Sequence, residues 1–553
     1  MQYFLLPSVY RAESIYKELK KMRKRQLKAF TMMAAGMMVC GCSYDDFGGY
    51  YAAYDEMGIA PSMVEQQGGD QFAEFEDNPF VRTSDENVST FSVDADGAAY
   101  SIMRRYVKMG YTLDKGYATY PGYTLDKHSV RIEEYLNYFT FDYADPVHNE
   151  AVAINADLGW CPWNAEHRLL RLGLKGKPLQ KAPLANYVFL IDVSGSMDSP
   201  DKIELLKSGL VELVGQLNPN DKISIITYSG AVRKLLEATK VSESSKIKKA
   251  IGKLNAFGCT NGGKALKMAY EEALSNYIKG GNNRVILGTD GDFNVGVTST
   301  DALVEMVESY AKKGIYMTCC GFGTGNLNDA MMEKISNAGN GTYQYIDSEN
   351  EMMKVFAHET GKFTSVANDT KCQVTFDSTL VSSYRLIGYE NRVMSKEDFA
   401  DDTKDAGEIG AGQTITALYE IVPTEAFLKW PYSKTLRHQV ATFDVRYKTS
   451  LGSESRPLSL DILIEDYVGD RLGATPEELA QRLSVPSPSE NLRFAAGVAA
   501  YGMVLRQSEY RGDADIDMAI RLVDGARSFD PHGYRAELVT LMQKINQSAW
   551  FNE

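Results

Sequence analysis

The chain contains 553 residues, of which 44% are hydrophobic and 24% are charged, and its formal net charge is -14. This length and composition are ordinary for a globular protein and indicate two to four domains. The acidic balance argues against nucleic-acid binding, which depends on Lys and Arg neutralising phosphates, and against simple adsorption to an anionic membrane.

The N-terminal segment is predicted to be a targeting signal rather than part of the fold. Residues 23–28 are basic, residues 29–39 form an apolar stretch, and a small residue precedes Cys42. Such a short apolar stretch cannot cross a bilayer. By resemblance to bacterial lipoproteins, we expect residues 1–41 to be a signal peptide and Cys42 to be the acylated first residue of the mature chain. Met22 is an alternative start, and an uncleaved signal anchor is an alternative reading of the segment.

The next segment, residues 42–77, is predicted to be an acidic tether. Residues 43–81 contain nine Asp or Glu and no Lys or Arg. This composition indicates a solvated, disordered leash that holds the folded body away from the membrane. We therefore expect an outer-membrane lipoprotein of a Gram-negative cell envelope. Acidic residues this close to a lipidated cysteine also resemble the surface-export signal of some Gram-negative lipoproteins.

Four regions are predicted beyond the tether. They are a small N-terminal region (78–168), an α/β region with a doubly wound parallel sheet (169–364), a β-rich region (365–470) and a helical C-terminal segment (471–553). The α/β assignment rests on alternating strands and helices. Its predicted strands are 187–193, 222–228, 284–290, 314–320 and 341–346, and its predicted helices include 202–217 and 262–277. Short runs of alternating polarity favour a β-sandwich or an antiparallel sheet in the third region.

Five oxygen-bearing side chains follow predicted strands or lie in a loop of the α/β region: Asp192, Ser194, Ser196, Thr260 and Asp290. In a parallel sheet, ligands bind beyond the carboxyl ends of the strands. Carboxylates and hydroxyls suit Mg²⁺, which prefers octahedral oxygen coordination and usually retains several waters. The pattern therefore predicts a magnesium site with coordination positions left open.

The pattern Asp192-x-Ser194-x-Ser196, followed by Thr260 and Asp290, resembles the metal-ion-dependent adhesion site of von Willebrand factor type A (VWA) domains. The resemblance implies that the two serines and the threonine contact the metal and that the two aspartates often act through water. It also implies that a carboxylate of a partner protein fills the sixth position. Mn²⁺ and Ca²⁺ are alternatives to Mg²⁺.

Five further segments resemble the bacterial VWA lipoproteins, which carry a characteristic N-terminal region and a C-terminal extension. They are residues 78–83, 89–96, 131–139, 167–177 and 289–296. The resemblance therefore covers most of the chain.

Enzymatic alternatives each lack a residue that they need. Residues 258–265 nearly match a nucleotide-binding P-loop, but Ala265 stands where Ser or Thr must hold magnesium. The six histidines form no metal-binding pair at helical spacing, and no His base can be named for Ser194 or Ser196. We therefore expect a non-enzymatic, lipid-anchored envelope protein that captures an acidic side chain of a partner protein. The alternative is a structural envelope protein in which the metal only stabilises the fold.

Overall fold

The strands lie in three groups along the chain. The first group is β1 (Val81–Arg82), β2 (Val88–Ser92), β3 (Val152–Trp160) and β4 (Arg168–Gly176). The second is β5 (Ala185–Asp192), β6 (Lys222–Tyr228), β7 (Val232–Lys240), β8 (Asn282–Thr289), β9 (Ile315–Phe322) and β10 (Tyr343–Ile346). The third is β11 (Ser365–Phe376), β12 (Val381–Ile387), β13 (Val393–Met394), β14 (Gly407–Gly410), β15 (Thr414–Pro423), β16 (Gln439–Lys448) and β17 (Arg456–Leu463).

The α-helices fall into two groups, those up to the end of the central region and those after it. Those before and within the central region are α1 (Ala98–Met109), α2 (Ile132–Asn137), α3 (Leu205–Gln216), α4 (Ser244–Ile251), α5 (Gly263–Ser275), α6 (Thr300–Ala311), α7 (Asp329–Ala338) and α8 (Glu349–Met353). Those after it are α9 (Glu425–Leu428), α10 (Glu490–Arg506), α11 (Ile516–Asp524) and α12 (Tyr534–Trp550). The computed structural model describes residues 70–111, 124–258, 263–291, 300–429, 438–450, 452–464 and 489–550.

The second group of strands forms one sheet in the order β10-β9-β8-β5-β6-β7. Its neighbours are parallel except at the edge, where β7 runs antiparallel to β6. Every residue of β5 and β8 is buried, as expected for strands covered by helices on both faces. The predicted doubly wound α/β fold is confirmed. The predicted strands agree with β5, β6, β8, β9 and β10 to within two residues at each end, whereas β7 was not predicted.

The first and third groups combine into a β-sandwich. Its sheets have the orders β1-β12-β15-β4-β3 and β13-β2-β11-β16-β17, and β14 pairs with β11. The two sheets share one hydrophobic core, to which Phe91, Leu172, Val374 and Phe443 contribute. The central α/β region is therefore inserted in sequence between two halves of a sandwich.

This interleaving corrects two of the predicted boundaries. The predicted α/β region began at residue 169, but β4 pairs with β3 and β15 in the sandwich. The predicted β-rich region, 365–470, is also incomplete without β1 to β4. The physical reason is that β4 is buried over almost its whole length, and a buried apolar run looks the same in a parallel sheet as in the centre of a sandwich.

Helices outside the central region share a hydrophobic cluster with the central sheet. A single hydrophobic cluster joins Val188 of β5 with Tyr100 of α1, Tyr135 of α2, Phe494 of α10 and Leu538 of α12. Helix α10 is buried from Leu492 to Arg506, so it is a core helix within the predicted helical C-terminal segment. Among the helices that the structure describes, none combines the length and apolarity needed to cross a membrane.

Candidate metal site

Two central parallel strands, β5 and β8, place the candidate ligands beyond their carboxyl ends. This end of the sheet is called the carboxyl edge below. Strand β5 pairs with β8 so that Ile191 lies opposite Gly288. The next residues along each strand therefore leave the sheet side by side. Asp192 ends β5, and Asp290 directly follows β8. Both aspartates are fully buried.

Hydrogen bonds within the chain fix the orientation of the Asp192 carboxylate. Its Oδ1 accepts a bond of 2.8 Å from the Ser194 amide, and its Oδ2 accepts one of 3.1 Å from the Thr289 hydroxyl. Burial raises the pKa of Asp192 to about 6; hydrogen bonds from Ser194 oppose this shift, and the charge of Asp290 adds to it. A divalent cation would supply the positive charge that favours the ionised form.

The two serines place their hydroxyls beside each other. The Oγ atoms of Ser194 and Ser196 are 2.9 Å apart. Octahedral Mg²⁺ with oxygens at 2.0–2.1 Å has neighbouring ligands about 2.9 Å apart. Ser194 is buried and Ser196 is exposed, so the pair runs from the interior to the surface. The donor set and this separation fit Mg²⁺.

Lys202 introduces a positive charge at the same edge. It lies in the helical turn Pro200–Glu204 that precedes α3. Its Nζ donates a hydrogen bond of 2.9 Å to Asp290 Oδ2 and another of 2.9 Å to the carbonyl oxygen of Ser196. The ammonium therefore links the two segments that carry the candidate ligands.

The loop that carries Thr260 begins at the same edge. The amide of Phe257 donates to the Val193 carbonyl at 2.7 Å, and the amide of Gly195 donates to the Gly258 carbonyl at 2.8 Å. Phe257 itself is 82% exposed, the largest exposed fraction among the large hydrophobic residues described. Thr260 lies outside the described residues, so its role remains a prediction.

The structure thus brings together four of the five predicted metal-binding residues: Asp192, Ser194, Ser196 and Asp290. Sequence reasoning assigned no role to Thr289 or Lys202, although both contact these aspartates. Thr289 was detectable as the last residue of a strand adjacent to β5. Lys202 was not, because it lay in a predicted helix, where a lysine is usually solvated. The predicted lipidation site, Cys42, lies outside the described residues.

The sheet order and the Asp-x-Ser-x-Ser edge define a VWA domain, and the comparison with protein families agrees. The model of the von Willebrand factor type A domain matches residues 186–358, and one described as von Willebrand factor matches residues 66–171. A third, described as "Uncharacterized protein YfbK, C-terminal", matches residues 361–547. The chain belongs to the family of YfbK from Escherichia coli K12, to which it is 35% identical over 87% of its own length and 82% of that protein.

Other similar proteins share a smaller part of the chain. The mouse inter alpha-trypsin inhibitor heavy chain 4 is 30% identical over 35% of this chain and 21% of that protein. A solved von Willebrand factor type A structure from Catenulispora acidiphila covers 71% of this chain and 96% of its own, with 16% identity and a TM-score of 0.39.

Proposed function

We propose that this protein captures a partner protein in the cell envelope through a Mg²⁺-dependent VWA edge, and that Cys42 anchors it to the outer membrane through lipid. The observation that carries the proposal is the oxygen set at the sheet edge, with two buried aspartates beside two adjacent serine hydroxyls. A metal held there with an open position would accept a hard anionic oxygen, such as an Asp or Glu side chain of the partner.

Phe257 adds a second kind of contact to this edge. Its backbone is hydrogen-bonded to the segment between Asp192 and Ser194, while its ring is exposed. Interfaces draw much of their binding energy from aromatic residues held in fixed positions. An exposed aromatic ring beside a carboxylate-binding metal suits a protein partner better than a small anion.

The proposed role is binding rather than catalysis. Among the described residues, the hydroxyls of Ser194 and Ser196 hydrogen-bond to each other, and no histidine is bonded to either. Histidine is the commonest base for activating a serine nucleophile.

Affinity capture from envelope extracts tests the proposal. The wild-type protein should retain the same partners in Mg²⁺ and lose them in EDTA, and Asp290→Asn should lose them in both. Asp145→Asn is the matched control, because Asp145 is exposed and pairs with Lys175 on the sandwich side. Retention of the same partners by Asp290→Asn would contradict a metal bridge.

The competing role is structural, with the metal only stabilising the fold. It is favoured by the bonds that Asp192 and Asp290 already receive from Ser194, Thr289 and Lys202, since these hold the edge together within the chain. Thermal melts and capture of Ser194→Ala discriminate between the two roles. A loss of stability with undiminished partner capture supports the structural role.

A further inference from the structure

The side chain of Lys202 fills a narrow space beside the candidate metal ligands at the carboxyl edge of the central sheet. This group of residues, Asp192, Ser194, Ser196 and Asp290, is called the metal edge below. Gly323, just beyond β9, has a φ of +71°, and a Cβ there would overlap Cε of Lys202 and come within 3.0 Å of its Nζ. The lysine side chain is only 13% exposed. Absence of a side chain at residue 323 therefore leaves the space through which the ammonium reaches Asp290.

Lys207 is a nearby lysine that does not lie in such a space and serves for comparison. It lies on α3 and pairs with Glu204, which is 61% exposed, at 2.7 Å. Ion pairs of this kind contribute little because water screens them. Lys202, by contrast, pairs with a fully buried carboxylate, for which a counter-charge matters much more.

We propose that Lys202 is an internal cation that shares Asp290 with the metal and makes metal binding depend on a bound carboxylate. The inference rests on the proposed metal-dependent function. Asp192, Asp290 and Lys202 together carry one negative charge when both aspartates are ionised. A divalent metal turns this into one positive charge, which a single carboxylate from a partner neutralises. Without the lysine, the metal alone neutralises the aspartates.

Two consequences follow from this charge balance. Repulsion between the ammonium and the metal weakens metal binding in the absence of an anion. The same positive charge strengthens metal binding when a carboxylate is present, because the anion relieves the repulsion. Lys202 therefore favours the state in which metal and partner are bound together over the state with metal alone.

The test measures Mn²⁺ affinity by the electron paramagnetic resonance signal of free Mn²⁺, with and without acetate as the simplest carboxylate. Lys202→Met should bind Mn²⁺ about ten-fold more tightly than wild type without acetate, and acetate should strengthen binding less in the variant than in wild type. Lys207→Met should behave as wild type. Lys202→Gln, which also removes the charge but keeps a polar end, should show the same gain, so that a packing defect in one variant is recognised.

Unchanged or weaker Mn²⁺ binding by folded Lys202→Met and Lys202→Gln would overturn the inference while leaving the metal site intact. Equal acetate effects in wild type and both variants would also overturn it. If Mn²⁺ binds neither wild type nor the variants, the proposed metal-dependent function fails as well.

Discussion

Buried carboxylates occur in two regions of this molecule, and their partners differ. At the metal edge, Asp192 and Asp290 are held by an amide, a hydroxyl and one lysine. Between α2 and α7, Arg131 instead donates two hydrogen bonds to Asp329, of 2.6 and 3.1 Å, and one to Glu134. All members of this second group are also buried.

The difference lies in how the donors are arranged. A guanidinium has a planar fork of donors that matches a carboxylate in both geometry and charge, so Arg131 fixes Asp329 and joins the α2 segment to the VWA domain. The candidate metal site has hydroxyl oxygens beside its carboxylates and reaches the surface through Ser196. Burial of an acidic group therefore does not by itself indicate a functional site; the neighbouring oxygens and access to solvent do.

The largest effect is expected from removing the guanidinium. Arg131→Met leaves the Asp329 carboxylate buried without its counter-charge, so it should lower the free energy of unfolding by about 3–5 kcal/mol. Urea denaturation measures this. Lys396→Met is the control, because it breaks only the surface pair with Glu86. A loss no greater than that of the control would show that the Arg131 group is not structural.

A smaller change in the free energy of unfolding is expected from a substitution at the metal edge. If Mg²⁺ binds the proposed site in the folded state alone, it should stabilise wild type by about 2.7 kcal/mol when free Mg²⁺ is about 100 times its dissociation constant. Asp290→Asn should abolish this gain, because it removes a carboxylate at the proposed metal position, whereas Asp145→Asn should keep it. Unfolding free energies with Mg²⁺ and with EDTA provide the measurement. A gain in Asp290→Asn equal to that of wild type would place the metal elsewhere.

Glu133, on α2 beside Glu134, is expected to make the stability of the protein depend on pH. Burial raises its pKa to about 8, with the charges of Glu390 and Asp94 adding to the shift. Since the ordinary pKa is 4.5, the folded protein holds a proton between pH 4.5 and 8 that the unfolded chain has released. Stability should therefore fall as pH rises through this window, by at most about 1.4 kcal/mol per pH unit from this group.

Glu133→Gln should reduce that slope, because the amide resembles the protonated acid and does not titrate; part of the slope should remain, because burial also raises the pKa of Glu134 to about 8. Chemical denaturation at intervals between pH 5 and 8 measures the slope. The exposed Glu397→Gln should leave the wild-type slope unchanged. If Glu133→Gln keeps the full slope, another group is responsible for it.

The smallest effect is expected from Thr289. Thr289→Val preserves the shape of the side chain but removes the hydrogen bond to Asp192 and the acceptor for the Gly291 amide. A stability loss of about 1 kcal/mol is expected in EDTA. Thermal or urea denaturation of Thr289→Ser, which keeps the hydroxyl, provides the control. Unchanged stability of Thr289→Val would contradict a contribution from these two hydrogen bonds.

The sequence predicted correctly those features that depend on neighbouring residues in the chain, such as strand limits. The apolar run of β6 fixed its limits, Lys222–Tyr228, without error. The aspartates and serines of the site follow directly from strands, so the meeting of neighbouring parallel strands predicted their proximity. Pairing across the sandwich is not a local property, because alternating polarity identifies a strand but not its partner. The assignment of β4 to the wrong sheet has this cause, whereas the contact of Lys202 was missed because a lysine in a predicted helix is usually solvated.

The insertion of the VWA domain into the sandwich also sets an order of assembly. Strand β2 lies between β11 and β13, and Gln373 donates a hydrogen bond to Thr90, which is 283 residues earlier in the chain. During synthesis, both edges of β2 therefore remain unpaired until the VWA domain and the strands that follow it have been synthesised. Pairing over such separations is slow, and unpaired edges aggregate. Closing the sandwich is thus the step at which a nascent chain is most exposed to misassembly.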